Sequence, residues 1–313
     1  MDLIADIGAT NSRFALLDDK GKPLAAEEFH NADFTGFAQV LEAYLDHRRE
    51  TDRPRQAALA IAAPIVSDRV TMVNIQWEFS QNELKRRFGL SRLVVVNDLA
   101  AVAWGLPDTK IPDVQLIGRG EPVARAPLAV LGPGSGLGVA TIVASSDTWA
   151  VASGEGGHVT MAAADEEEAA VLRMLRERFG HCSAERLLSG PGLVNLYETL
   201  GRLASRPVAS MSPADVTRAA ELGDALAGKA RDMFFAMLGT VAGNLALTVG
   251  ARGGVYLAGG IVPRMVEPLE LSGFRERFEA KGRYRYYMER IPTYVITERV
   301  PAFRGLRRLL GYH

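Results

Sequence analysis

Leu3-Ile4-Ala5-Asp6-Ile7-Gly8-Ala9-Thr10-Asn11-Ser12-Arg13-Phe14-Ala15-Leu16-Leu17 reads as a short apolar strand, a glycine-containing turn and a second apolar strand. A Walker loop or a dinucleotide fingerprint would follow its glycines with a helix, and neither spacing is present, so the stretch is a hairpin. The pattern recurs. Leu128-Ala129-Val130-Leu131 is a strand, Gly132-Pro133-Gly134-Ser135-Gly136 a turn, and Val139-Ala140-Thr141-Ile142-Val143 a returning strand. Placing Ser135 on Thr10 superposes both strands, with Leu131 standing where the first unit has Asp6. The repeat predicts an internal duplication in which two similar half-molecules each offer a glycine turn to one cleft.

Between the hairpins, Phe37, Val40, Leu41, Tyr44 and Leu45 fall on one face of a helix, and Ala57 to Ala62 reads as a buried strand. Ser80-x-x-Glu83 is a capping box opening a short helix that stops at Gly89. Arg92 to Val96 is apolar without a break from Leu93, as expected of a strand covered on both faces. It runs into Asn97-Asp98 and a helix over Leu99 to Leu106, so two polar side chains sit at the carboxyl end of a strand, where α/β proteins bind ligands. Pro107 to Pro127 is a polar connection. Beyond the second hairpin, helices are predicted over Glu166 to Phe179, Gly192 to Ala204 and from Ser212-Pro213, with strands at Val255 to Ala258 and Thr293 to Thr297.

The 313 residues are enough for two domains, and 36 Lys+Arg against 37 Asp+Glu leave no basic footprint for nucleic acid or an anionic membrane. With 48% hydrophobic and 23% charged residues, disorder is excluded. A single cysteine, Cys182, rules out an internal disulfide and a Cys-rich zinc site. No basic, apolar leader opens the sequence, and a cytoplasmic location is expected. The uncharged stretch Met233 to Ala251, with Gly239-x-x-x-Gly243, is read as a buried interior helix rather than a membrane span.

Glycine turns beside a hydroxyl residue let several backbone N–H groups converge on an anion, because no Cβ blocks the approach. Either turn alone reads more readily as a plain β-turn. As a pair, with Asp6 before the first to hold a hydrated Mg²⁺, they point to a phosphate clamp, since Mg²⁺ needs only one or two carboxylates plus phosphate oxygens. Asn97 and Asp98 fit helix capping at a strand-to-helix junction. A carboxylate at Asp98 could also be a base that accepts the proton of an alcohol attacking a γ-phosphoryl group, for which an ordinary carboxylate pKa suffices. Gly154-Glu155-Gly156-Gly157-His158 has the Glu-x-x-His spacing of a metal-binding helix, as does Glu27-x-x-His30 in a polar surface stretch. Three glycines oppose a helix in the first, and a loop presenting one carboxylate and one imidazole suits hydroxyls instead. Glu185 reads either as an exposed first-turn helix carboxylate or as part of this set. Asn97, Asp98, Glu155, His158 and Glu185 together are acceptor-rich and contain no Arg or Lys, an inventory for a neutral polyol.

Seven blocks occur in the order found in proteobacterial-type glucokinases: Asp6-Ile7-Gly8-Ala9-Thr10-Asn11, Val96-Asn97-Asp98-Leu99, Gly134-Ser135-Gly136-Leu137-Gly138, Gly154 to His158, Ser183-Ala184-Glu185-Arg186, Ser189 to Asn195, and Ala258-Gly259-Gly260-Ile261-Val262-Pro263-Arg264. The chain resembles that family over residues 2–297. The resemblance implies a two-domain α/β fold of the actin-like ATPase (ribonuclease H-like) type with an interdomain cleft, residues 1–108 and 298–313 forming a small domain and 109–297 a large one. It implies transfer of the γ-phosphoryl group of ATP to O6 of glucose with Mg²⁺, by a homodimer. Asp98 is then the base, and Asn97, Glu155, His158 and Glu185 bind the other hydroxyls. Gly8, Ala9, Thr10, Asn11, Gly134, Ser135 and Gly136 form the phosphate hairpins, Asp6 lies on the Mg²⁺ side through water, and Gly190, Gly259 and Gly260 face the adenosine. A kinase for fructose, mannose or an N-acyl sugar, and an actin-like ATPase or sugar sensor that phosphorylates no sugar, are the rival readings. Ala9 stands where the family usually has Gly, and Ser135 where Thr is common. The tail Pro301 to Arg308 keeps only Gly305 of the family's Gly-Leu-Leu-Gly run, a departure that bears on how the final helix packs.

Overall fold

A computed structural model describes residues 1–46, 48, 53–72, 75–107 and 113–312. The chain divides into two compact units, Met1–Ile111 with Glu298–His313 and Pro112–Thr297. The boundary expected between residues 108 and 109 falls outside the described residues.

In the first unit the opening stretch is a hairpin of β1 (Asp2–Ile7) and β2 (Asn11–Leu17), antiparallel with Ile7 opposite Ser12. β3 (Pro23–His30) adds an antiparallel strand to β2 that the sequence does not announce. α1 (Phe37–Asp46) buries the predicted face, and Phe14 of β2 stacks on Phe37 and Tyr44 at 6.3 and 5.0 Å between ring centres. β4 (Gln56–Ile61) lies parallel to β1. β5 (Arg69–Met72) and β6 (Trp77–Ser80) form a separate two-stranded ribbon leading into α2 (Gln81–Arg87). Only half of the predicted capping box forms: Ser80 Oγ accepts from Glu83 N–H and donates its own hydrogen to Asp68. β7 (Arg92–Asn97) pairs parallel with β4 and leads directly into α3 (Asp98–Trp104), completing a sheet in the order β3-β2-β1-β4-β7. The expectation that β7 is covered on both faces is corrected. It is the edge strand, and its apolar residues are only half-buried.

The second unit opens with β8 (Val114–Ile117), a strand within the stretch read as a polar connection. β9 (Leu128–Pro133) and β10 (Leu137–Ser145) make the second hairpin, extended by β11 (Thr148–Gly154). α4 (Glu166–Phe179), α5 (Gly190–Leu203), α6 (Pro213–Glu221) and α7 (Ala225–Val249) follow, then β12 (Gly254–Leu257), α8 (Val266–Glu270), α9 (Phe274–Glu279), α10 (Arg285–Met288) and β13 (Thr293–Ile296). The sheet order is β11-β10-β9-β12-β13-β8. From β11 to β13 its pairings run antiparallel, antiparallel, parallel, parallel, the succession that β3-β2-β1-β4-β7 shows in the first unit. The duplication inferred from one hairpin thus extends over five strands.

α7 is long and apolar enough to cross a membrane. In the structure Ala230, Phe234, Phe235, Leu238, Ala242 and Ala246 are fully buried in the second unit's core. Its Gly239 and Gly243 serve close helix packing: a Cβ there would come within 2.2 Å of the Phe274 carbonyl oxygen and 2.7 Å of that of Phe278, both on α9. After β13 the chain returns to the first unit as α11 (Ala302–Leu309), which packs on α3, β1 and β4. Gly305 makes that seat possible, since a Cβ on it would lie 1.8 Å from the Ala101 carbonyl oxygen of α3. Behind α11, the Tyr312 hydroxyl donates to Asp2 at 2.7 Å, tying the tail to the start of β1.

Candidate active site

Strand register brings the polar residues of the first unit to one edge. Ile7, Ile61 and Asn97 are in line across the parallel strands β1, β4 and β7, so the Gly8–Asn11 turn and the Asn97–Asp98 junction both leave the sheet at its carboxyl edge. Asn97 is the N-cap of α3, its Oδ1 accepting from Leu99 and Ala100 N–H at 3.0 and 3.3 Å. The capping reading is therefore right for Asn97. Asp98, the first helical residue, also accepts from Leu99 N–H at 2.8 Å through Oδ1.

Asp98 keeps partial solvent access, yet burial pushes its carboxyl up to about 7, helped by the nearby negative charge of Asp6 and opposed by the Leu99 N–H. Asp6 is likewise pushed up to about 6 by burial, with the Arg13 guanidinium 3.6 Å away pulling the other way. An ordinary carboxylate pKa would suffice for such a base; two carboxyls at one poorly solvated edge raise it further. A base with a pKa near neutrality is both substantially ionised and strong enough to accept a proton from an alcohol.

The first hairpin turn is braced from outside. Asn31, buried just beyond β3, donates from Nδ2 to the Gly8 carbonyl at 2.8 Å and from its backbone N–H to the Thr10 carbonyl at 2.8 Å, and its Oδ1 accepts from Ser12 Oγ at 2.6 Å. Thr10 itself is exposed, and Asn11 Oδ1 lies 3.2 Å from His30 Nδ1. Neither Asn31 nor Arg13 was singled out from the sequence. Arg13 had a usable signal, because strand pairing places it opposite Asp6. Asn31 lies 19 residues from Ser12 and has none that is local.

In the second unit, Leu131 of β9 pairs with Leu257 of β12, so the Gly134–Gly136 turn and Gly259-Gly260 leave that sheet at the same edge. Gly259 is left-handed (φ +82°), and a Cβ on it would lie 2.3 Å from the Pro133 carbonyl oxygen. Gly190, the first residue of α5, donates its N–H to the Gly134 carbonyl at 2.8 Å, while Ser189 caps the helix through Gly192 N–H. Glu185, on a short 3₁₀ turn, is not the exposed first-turn carboxylate of the alternative reading. It reaches the hairpin, accepting from Leu137 N–H at 2.9 Å, and a Cβ on Gly136 would come within 2.5 Å of its Oε2. Gly154 to His158 ends β11 and turns through a 3₁₀ segment, with Gly157 packed so closely that a Cβ would fall 2.0 Å from the Leu137 carbonyl oxygen. His158 Nε2 is consequently 4.0 Å from both Glu155 Oε2 and Glu185 Oε2.

Within each unit the expected residues thus gather at one sheet edge. The first unit holds Asp6, Gly8, Ala9, Thr10, Asn11, Asn97 and Asp98; the second holds Gly134, Ser135, Gly136, Glu155, His158, Glu185, Gly190, Gly259 and Gly260. Among the described residues no group of three or more His, Cys, Asp or Glu is arranged to hold a metal directly. A hydrated Mg²⁺ fits the donors that are present, since Asp6 is a hard oxygen ligand beside the Gly8–Asn11 turn and is largely ionised above its pKa of about 6.

A family model described as glucokinase matches residues 3–312. A glucokinase of Paramagnetospirillum magneticum is 46% identical over 312 residues, covering 99% of this chain and 97% of the relative. The crystal structure of a glucokinase from an Antarctic psychrotroph superposes with a TM-score of 0.85 at 34% identity, covering 98% of each chain. The same fold is found in a ROK family glucokinase from Streptomyces griseus, solved in complex with glucose and AMPPNP (TM-score 0.65, 19% identity, 98% of each chain). The fold is that of the actin-like ATPases.

Proposed function

The chain belongs to the glucokinase family, and from that premise we propose that it moves the γ-phosphoryl group of ATP to O6 of glucose with Asp98 as the base. The observation that carries the assignment is the placement of Asp98 at the carboxyl edge of the first sheet, in line with the phosphate hairpin, its carboxyl raised to about 7. The O6 oxygen forms a bond to the γ-phosphorus as the bond from that phosphorus to the β,γ-bridging oxygen breaks. ADP leaves, and the O6 proton passes to Asp98. Because the transition state is loose, most of the acceleration comes from holding the alcohol and the phosphorus in line.

We assign the remaining sugar hydroxyls to Asn97, Glu155, His158 and Glu185. The trio around His158 offers acceptors and a ring that both donates and accepts, which suits vicinal hydroxyls. The backbone of Gly8 to Asn11 and of Gly134 to Gly136 takes the phosphates, and Gly190, Gly259 and Gly260 the adenosine, where bare glycine backbone permits close approach. Asp6 would hold Mg²⁺ through water; when bound, the ion neutralises charge on the phosphate oxygens. A homodimer and a cytoplasmic location belong to the same reading through the family.

A coupled assay for glucose 6-phosphate with glucose, ATP and Mg²⁺ tests the reading, and a panel of glucose, mannose, fructose and N-acetylglucosamine separates glucose from other hexoses. Glucose should give the highest kcat/KM. ATP turnover that glucose does not stimulate, with no sugar phosphate formed, would refute it.

A further inference from the structure

In a two-residue hairpin turn, the residues flanking the turn normally exchange both backbone hydrogen bonds. The first phosphate hairpin makes only one of them. Gly8 N–H donates to the Asn11 carbonyl at 3.0 Å, but among the described residues the reciprocal bond from Asn11 N–H to the Gly8 carbonyl is not formed. That carbonyl is occupied instead by Asn31 Nδ2 at 2.8 Å. The next peptide but one is held in the same way, its Thr10 carbonyl accepting from Asn31 N–H at 2.8 Å. Asn31 is 3% exposed, and its remaining side-chain oxygen takes the Ser12 hydroxyl at 2.6 Å, so its rotamer is fixed from both sides.

A trans peptide points its C=O and N–H in opposite directions. Holding the Gly8 and Thr10 carbonyls on Asn31 therefore turns the N–H groups of Ala9 and Asn11 the other way, and it leaves the Asn11 N–H without the acceptor that a closed turn would give it. The second hairpin has a three-residue turn, Pro133 being paired with Leu137, and shares one part of this arrangement. Pro133, which aligns with Gly8 in the duplication, has its carbonyl taken by Ile261 N–H at 3.3 Å, a donor likewise outside the turn.

We propose that Asn31 is a positioning residue for nucleotide binding: by capturing the Gly8 and Thr10 carbonyls it keeps the first hairpin open, with its N–H groups free for the phosphate oxygens of ATP. This rests on reading that hairpin as a phosphate site. Removing the side chain lets the turn close on itself and withdraws a donor from the anion.

The test uses the full chain, with glucose and Mg²⁺-AMPPNP affinities each measured alone by calorimetry, and KM and kcat in the coupled assay. Asn31→Ala should weaken AMPPNP and raise KM for ATP by about tenfold, the scale of one buried hydrogen bond, while glucose affinity stays within about twofold. Ser12→Ala, which removes only the hydroxyl that orients Asn31, should show the same selectivity at a smaller size, and it serves if Asn31→Ala does not fold. Equal losses for both ligands, or unchanged nucleotide affinity in a folded variant, would overturn the proposal. If wild type does not bind AMPPNP at all, the phosphate reading of the hairpin fails instead.

Discussion

On the proposed role of Asp98, one carboxyl ties chemistry to stability. Only the ionised form can accept the O6 proton, so kcat/KM for glucose should fall tenfold per pH unit below about 7, the value to which burial and Asp6 raise the group. Folding has the opposite dependence. With a folded pKa near 7 against 3.8 for the free side chain, the native state holds the proton longer than the unfolded chain. Stability attributable to this group is therefore complete below about pH 3.8 and declines as pH rises toward 7. Asp98→Asn, whose amide oxygen can still accept from Leu99 N–H, should raise stability at pH 8 by roughly 1–3 kcal/mol after solvent screening, a gain that disappears at low pH. Thermal denaturation across pH reads this without any substrate. A second residue-scale prediction concerns Gly136. An added methyl would push the Glu185 carboxylate off Leu137 N–H, so Gly136→Ala should raise KM for glucose about tenfold with little change in melting temperature.

At the scale of elements, the hairpins were legible because strand, glycine turn and strand leave a local signature, and the Asn97–Asp98 junction because an apolar run stops abruptly at two polar residues. β3 and β11 were not. β3 is largely exposed along Pro23 to His30, and β11 exposes most of Thr148 to Gly154, so neither carries a strand's apolar alternation. β8 and the β5–β6 ribbon are four residues each and are interrupted by Gln115, Arg69 and Glu78, unlike the equally short but apolar β12 and β13. The role of Glu185 was open in sequence for a different reason: its partner, Leu137 N–H, is 48 residues away and is a backbone group. The departing C-terminal tail proves to retain the one glycine its packing requires. Gly305→Ala would force α11 off α3 by the depth of a methyl group, and we expect a loss of at least about 2 kcal/mol, read as a lower melting temperature. Because α3 carries Asp98 at its first turn, kcat should fall in the variant as well.

Over the whole molecule, the weakest sequence signal proved the most far-reaching. Two hairpins matched over a dozen residues stand for two sheets with the same five-strand connectivity, one in each compact unit. Each sheet delivers a glycine turn and a set of polar side chains to its own carboxyl edge, the arrangement on which the proposed pair of phosphate hairpins rests. The glycine pair in α7 belongs to the packing of that helix on α9, and substituting Gly239 by Leu should unfold the second unit's core. Family membership makes the chain a glucokinase, and the proposed role of Asp98 is the centre of the account. Rapid chemical quench of a single turnover, with saturating glucose and Mg²⁺-ATP, measures the phosphoryl-transfer step itself in wild type and Asp98→Asn. Glucose 6-phosphate should form several orders of magnitude more slowly in the variant while glucose affinity changes little; formation at the wild-type rate would contradict the assignment of the base.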